Sequence, residues 1–444
     1  MPHVAFVPFT GFRVREPEML ALGMTLPGLQ PRAEAIGKLP ALGVLALAGM
    51  TPPPWTCSYH DGETTDDLAQ RVLRQRPKLV AISALTASVE EAYRFSRLMR
   101  REGVPTVIGG LHATVCPEEA RRHCDAVVAG EGEPVWPNVL ADALSGGLQP
   151  LYRAAQPFDL RLSPLPRFDL LGPAPRPRFT VQTQRGCPLA CEFCGASRLL
   201  GPHRCKPPEV LERELNAIRN LSPRPLLELA DDNTFVARHD TPALIETLSR
   251  CGGRYFTEAD WRLGEQPGML AALASSGCVQ VLVGIESLVF RHPGMGAKQA
   301  KLSRIIDAIS AIQAAGIAVI GCFIVGADGE TKSSIDRLAD FILASPLADV
   351  QLTVQTPFPG TPLYRRLQRQ GRLLSQRGWP SYTLFDVTYQ PDRLSVEELE
   401  NAFRELVVRV FSASPAARRT QLRHQIWQRN PSLNRSASAP SPVT

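Results

Sequence analysis

The chain has 444 residues, enough for two or three domains with buried cores, and its 44% hydrophobic and 21% charged content is that of an ordinary globular protein. A net charge of +6 is modest for this length and gives no reason to expect a nucleic-acid partner. The opening MPHVAFVPFTGFRVREPEM lacks a basic region followed by a long apolar core, and the apolar stretch 39–50 is short and broken by Pro40, so neither a secretory signal nor a transmembrane segment is expected and the cytoplasm is the predicted location.

Residues 1–148 alternate apolar runs with helical patterns. VAFVPF (4–9), WTCSYH (55–60), LVAIS (79–83), PTVIGG (105–110) and AVVAG (126–130) read as buried strands. Continuous Val/Ile/Ala runs, without polar alternation, predict a parallel sheet covered on both faces. A capping box of Ser88 and Glu91 is expected to start one crossover helix. The resulting fold class is α/β: an N-terminal doubly wound, Rossmann-like domain. Ligands on such a sheet bind at the carboxyl ends of the strands, here the loops 83–88, 109–118 and 130–134. Ser83, Thr86, Gly109, Gly110, Gly130 and Gly132 sit in those loops, where glycine lets a bulky ligand approach the backbone or simply makes a tight turn. No GxGxxG follows the first strand, which argues against a dinucleotide.

The Pro-rich passage 149–178 reads as an extended linker. Residues 179–380 resume the alternation, with strands predicted at 179–184, 226–230, 255–259, 279–285, 317–325 and 350–356, and a helical stripe at Leu302, Ile305, Ile306, Ile309 and Ile312. Six such parallel units predict a partial (β/α)6, TIM-like barrel with its active loops at the strand carboxyl ends. The loop after the first of these strands is Gly186-CPLACEFC-Gly195. Cys187, Cys191 and Cys194 provide three thiolates, one fewer than a four-cysteine [4Fe-4S] site needs, so one iron would keep an open position for chemistry. A zinc site completed by His203 or Cys205 is the alternative reading of the same cysteines. Residues 381–411 form a short helical C-terminal region, and 412–444, with Arg418, Arg419, Arg423, Arg429 and Arg435, are expected to be a basic disordered tail.

The CxxxCxxC loop, with Phe193 before Cys194, resembles the radical S-adenosylmethionine (SAM) superfamily. The preceding domain, with GGLHAT (109–114) and GEGE (130–133), resembles the cobalamin-binding domain of its B12-binding class. ELADDNTF (228–235), GIES (284–287), GCFIVGADGET (321–331) and TPFPGTPLY (356–364) fit the same family, and the likeness spans about residues 1–375. It implies a [4Fe-4S] cluster on the three cysteines, SAM on the open iron, reductive cleavage of SAM to a 5′-deoxyadenosyl radical, and cobalamin as a methyl carrier.

On that resemblance, Asp231 and Asp232 are candidates for the SAM ammonium or for a helix N-cap. Glu286 is a candidate for a SAM hydrogen bond or for a paired charge at the barrel mouth. Glu258 and Arg262 are candidates for the ribose or carboxylate of SAM, and Gly326 for the adenine site. The histidine-bearing DxHxxG loop of many B12 proteins is missing, and His112 is left as either a cofactor contact or a hydrogen-bonded loop residue. The implied activity is methylation of an unactivated carbon in a small-molecule, lipid or peptide substrate, with electrons from a flavodoxin or ferredoxin. A B12-dependent oxidative cyclase or rearrangement enzyme is the alternative; a methylthiotransferase and a non-catalytic B12 or redox sensor are more remote.

Overall fold

A computed structural model of the protein describes residues 1–10, 14–30, 39–61, 64–172 and 178–435. In the first domain the apolar runs form β1 (His3–Phe9), β2 (Thr56–Tyr59), β3 (Leu79–Ala84), β4 (Thr106–Gly109) and β5 (Ala126–Ala129), and a sixth strand, β6 (Leu151–Arg153), adds to the edge. All pair in parallel in the order β2-β1-β3-β4-β5-β6. Separate apolar cores on the two faces, one around Ile82, Phe95 and Ile108 and one around Phe6, Val107 and Trp136, explain why the strands carry no polar alternation. Ser88 stands before the helix Val89–Arg101 but its side chain makes no capping hydrogen bond, because a 3-10 turn (Thr86–Ser88) leads into the helix.

The linker expectation needs correction. β6 lies inside it and pairs with β5, and Phe158, Leu160, Phe168 and Leu171 are buried. Apolar side chains spaced among the prolines tie this passage down, so it is packed rather than extended. Residues 173–177, its most proline-rich part, lie outside the described residues.

The second domain carries β7 (Phe179–Val181), the two-residue strands β8 (Gln184–Arg185) and β9 (Arg204–Cys205), then β10 (Leu226–Leu229), β11 (Arg254–Ala259), β12 (Cys278–Glu286), β13 (Ala318–Val325) and β14 (Asp349–Val354). The order β14-β13-β12-β11-β10-β7 is parallel throughout and leaves β7 and β14 as edges, the partial barrel expected. The helix Leu302–Ala314 buries Ile305, Ile309 and Ile312 against it. β8 and β9 pair antiparallel and close the cysteine loop at its base.

The tail expectation is overturned for residues 412–435. They contain the helices Ala413–Trp427 and Pro431–Arg435, seated under the amino ends of the barrel strands. Trp427 Nε1 donates to Val279 O at 2.8 Å, and Asn430 Nδ2 donates to Cys278 O at 2.8 Å and Gly316 O at 3.0 Å. Arg419 is buried, donates to Val410 O at 2.5 Å and lies over the Phe411 ring. Basic and amide side chains read as solvated are donors to main-chain carbonyls left open at strand and helix ends. Residues 436–444 lie outside the described residues. Among the described residues, no helix is long and apolar enough to cross a membrane.

Candidate active site between the two domains

The cysteine loop follows β7 and is braced from three sides. Ala190 N donates to Gly294 O at 3.1 Å and Glu192 N to Pro293 O at 3.0 Å, so the loop after β12 runs beside it. Gly294 has φ +84°, and a Cβ there would lie 1.9 Å from Ala190 O, a contact only glycine permits. Leu363 N donates to Glu192 O at 3.1 Å, and Arg366 Nη2 meets Glu192 Oε1 at 2.9 Å while its Nη1 meets Asp328 Oδ2 at 2.6 Å. The motifs after β12, β13 and β14 thus converge on one loop. Burial raises the Cys187 and Cys191 thiols, Cys191 to about 11, and the Cys194 thiol adds to both effects, so the three sulfurs share one electrostatic environment. Yet no three His, Cys, Asp or Glu side chains among the described residues are gathered to hold a single ion. His203 Nε2 instead donates to Gln184 Oε1 at 3.1 Å. This donor set fits a polynuclear cluster, whose cysteines each take a different iron, better than tetrahedral zinc.

Beside the loop, the barrel mouth is acidic. Burial and then Asp231 push Asp232 up to about 6, and burial and then Asp232 push Glu258 up to about 8. Neither carboxylate carries an ion pair among the described residues. Glu286 is buried and paired, accepting from Lys298 Nζ at 2.6 Å. Its φ of +71°, rare for a non-glycine residue, turns the side chain over Gly284, where a Cβ would lie 2.1 Å from Glu286 Oε1. Carboxyl groups without an ion-pair partner beside a thiolate loop fit a cationic ligand, whose charge would draw them into the ionised form, and SAM brings both a sulfonium and an ammonium.

The third element is a cavity of about 320 Å³ between the domains. Ser83, Gly109, Gly110, Gly130 and Gly132, all predicted, line it from the ends of β3, β4 and β5. Gly110 (φ +102°) passes so close to β3 that a Cβ would sit 2.8 Å from Ala84 O. Leu42, Val44 and Leu47 form an apolar wall, and Gln182, Arg185, Leu199 and Leu200 face them from the barrel side. The seam is closed by charge: Arg185 Nη1 to Glu131 Oε1 at 2.5 Å, Arg185 Nη2 to Glu133 Oε1 at 2.8 Å, and Arg204 Nη2 to Glu131 Oε1 at 3.0 Å. Burial works to raise the Glu131 carboxyl, but Arg204, the Phe158 amide and Arg185 outweigh it and hold it low. A glycine-lined, largely apolar slot fits a bulky neutral ring system such as the corrin of cobalamin.

Comparison with known proteins agrees with both halves. The B12 binding domain family matches residues 31–140 and the Radical SAM superfamily matches residues 181–342. The chain carries a B12-binding domain followed by a radical SAM domain. Its cofactors are a [4Fe-4S] cluster, SAM and cobalamin, and it is an enzyme. The bacteriochlorophyllide d C-12(1)-methyltransferase of Chlorobaculum tepidum is 24% identical over 87% of this chain and 86% of its own length. The hopanoid C-2 methylase of Rhodopseudomonas palustris is 26% identical over 76% of this chain and 66% of its own. Among solved structures, the cobalamin-dependent SAM radical enzyme OxsB with aqua-cobalamin bound superposes with a TM-score of 0.68 at 14% identity, covering 90% of this chain and 66% of that one.

Within this B12-binding radical SAM enzyme, several expected contacts resolve into structural roles. Asp231 is neither a free carboxylate nor a helix cap. It accepts from Thr183 N at 2.8 Å, Gln184 N at 3.1 Å, Thr234 Oγ1 at 3.0 Å and the Thr183 hydroxyl, clamping the exit of β7 to that of β10. Arg262 is held by Asp260 through Nε at 3.1 Å and Nη2 at 2.7 Å. Gly326 is engaged by its own chain: its N–H donates to Glu330 Oε2 at 2.7 Å and its carbonyl accepts from the Tyr389 hydroxyl. His112 and Thr86 do not line the cavity. They meet each other, with His112 Nδ1 3.3 Å from Thr86 Oγ1, and the buried ring packs edge-on against Trp379 at 5.0 Å. Glu119 joins them, accepting from Trp379 Nε1 at 3.0 Å.

Sequence reasoning missed Glu131, Glu133 and Arg185, which dock the two domains, and Glu192 with Arg366, which brace the cluster loop. The GEGE motif held the signal for the first group. Two acidic residues alternating with loop glycines have no basic residue beside them, so their partner had to come from elsewhere in the fold.

Proposed function

We propose that this enzyme transfers a methyl group to an unactivated carbon of a small molecule, lipid or peptide, taking electrons from a flavodoxin- or ferredoxin-like donor in the cytoplasm. One observation carries the reading: the glycine-lined cavity opens between the strand-end faces of both domains, and its barrel side is made by Gln182 and Arg185 just before the cluster loop and Leu199 and Leu200 just after it. When bound, the cofactors supply reductive cleavage of SAM and carriage of the methyl group.

The chain's own residues do the rest. Cys187, Cys191 and Cys194 hold the cluster, and Asp232 and Glu258 receive the positive charge of SAM at the barrel mouth. Glu286, fixed by Lys298, shapes that mouth on the far side. Ser83, Gly109, Gly110, Gly130 and Gly132 admit the corrin, and the Arg185–Glu131–Arg204 seam keeps the domains apposed and bulk water out. Relatives named as a methyltransferase and a methylase support methyl transfer over cyclisation.

The test is anaerobic reconstitution with iron, sulfide, cobalamin, a reductant and methyl-labelled SAM, in the presence of a metabolite extract from the host cell. 5′-Deoxyadenosine together with a labelled product heavier by one CH₂ is expected. No 5′-deoxyadenosine after full cluster loading overturns the radical step. A product lighter by two hydrogens and free of label overturns methylation.

A further inference from the structure

The interdomain cavity has a charged corner that the glycine loops do not explain. Lys206, just after β9, and Glu214, in the helix Pro208–Leu221, both line it, at 5% and 1% exposure. Lys206 Nζ donates to Glu214 Oε1 at 2.7 Å. The other carboxylate oxygen, Oε2, is buried and has no hydrogen-bond partner among the described residues. Ser163, which lines the same cavity, is occupied elsewhere: its hydroxyl donates to Leu160 O at 2.8 Å and its carbonyl accepts from Arg213 Nη2 at 3.4 Å. Burial pushes the Glu214 carboxyl up while Lys206 opposes the shift.

A buried carboxylate with one oxygen unmet is costly, and an apolar pair of the same volume would pack such a corner with less penalty. Such a group in the wall of a cavity is complementary to an N–H donor of the cavity's occupant. A primary amide presents two N–H donors, whereas a carboxylate presents none. The corrin ring carries primary acetamide and propionamide arms around its edge.

We propose that Glu214 Oε2 recognises cobalamin by accepting an N–H of one peripheral primary amide, with Lys206 holding the carboxylate in position. The inference rests on cobalamin occupying this cavity. It makes the corner a discriminating one, because hydrolysis of the recognised amide would set a carboxylate against Glu214.

The test titrates the full-length protein with hydroxocobalamin and with derivatives in which one peripheral primary amide is hydrolysed to a carboxylate, reading bound cobalamin by absorption after desalting. The wild-type protein should bind one of these monoacids at least about tenfold more weakly than hydroxocobalamin. Glu214→Gln, whose side-chain amide donates as well as accepts, should narrow that gap. Equal wild-type affinity for hydroxocobalamin and every monoacid overturns the amide contact, and needs no variant to fold. Failure of hydroxocobalamin itself to bind overturns the occupancy of the cavity and the contact with it.

Discussion

At the carboxyl ends of β3, β4 and β5 the chain places Ser83 and four glycines, whereas at the matching ends of the barrel strands it places Asp232, Glu258, Glu286 and the cysteine loop. Both surfaces come from parallel strands with crossover helices, and both present loops where such sheets bind ligands. They differ in what is offered. The first gives backbone and space, as a large neutral ring requires. The second gives charge and thiolates, as a cation and iron require. Two α/β units set face to face therefore divide the work by side-chain chemistry, and the Glu131–Arg185 seam fixes their distance.

If that division holds, each face can be broken alone. Cys191→Ala should abolish cluster absorption and bring iron content and 5′-deoxyadenosine to background, while cobalamin still binds. Equal loss of both would show that the faces are not independent. Gly110→Val is the converse. A side chain at φ +102°, ψ −179° costs about 1–3 kcal/mol before its clash with Ala84 O, so cobalamin retention should fall sharply with iron loading unchanged.

Glu258→Gln sharpens the electrostatic side. The Glu258 carboxyl lies at about 8 against an ordinary 4.5. A raised carboxyl favours the fold below its ordinary value, and that advantage disappears as pH rises through 8. Thermal melts of the metal-free protein should show the wild type losing ground to Glu258→Gln between about pH 5 and pH 9, while equilibrium dialysis at the upper end shows weaker SAM binding by the variant. Parallel melting curves would mean that the group is solvated. The smallest effect is expected from His112→Gln: with its ring against Trp379 and outside the cavity, the substitution should leave the spectrum of bound cobalamin unchanged. A shifted cobalt spectrum would return the histidine to the cofactor.

Most strands were legible because a strand buried on both faces must be a continuous apolar run, as in VAFVPF and LVAIS, and β6 escaped because LYR is short and lies beside prolines. The cluster loop was legible because its ligands are local in sequence. The roles of Asp231, Arg262, Gly326 and His112 were not. Each stands at a strand end where the family places cofactor contacts, and each is taken up by a partner remote in sequence or folded back beside it: Thr183 for Asp231, Tyr389 for Gly326, Trp379 for His112, and Asp260 for Arg262.

By itself the sequence determined two parallel α/β units, the cysteine loop after the first strand of the second and the family they resemble, since periodicity and ligand spacing are properties of short segments. Only the tertiary structure decided that Glu131 and Glu133 dock the domains, that Arg419, Trp427 and Asn430 seal the barrel's amino end, and that Glu214 keeps a buried oxygen unpaired in the cavity wall. Those outcomes depend on which polar group finds its partner across long stretches of chain, and hydrogen bonds of that reach leave no periodic mark in the sequence.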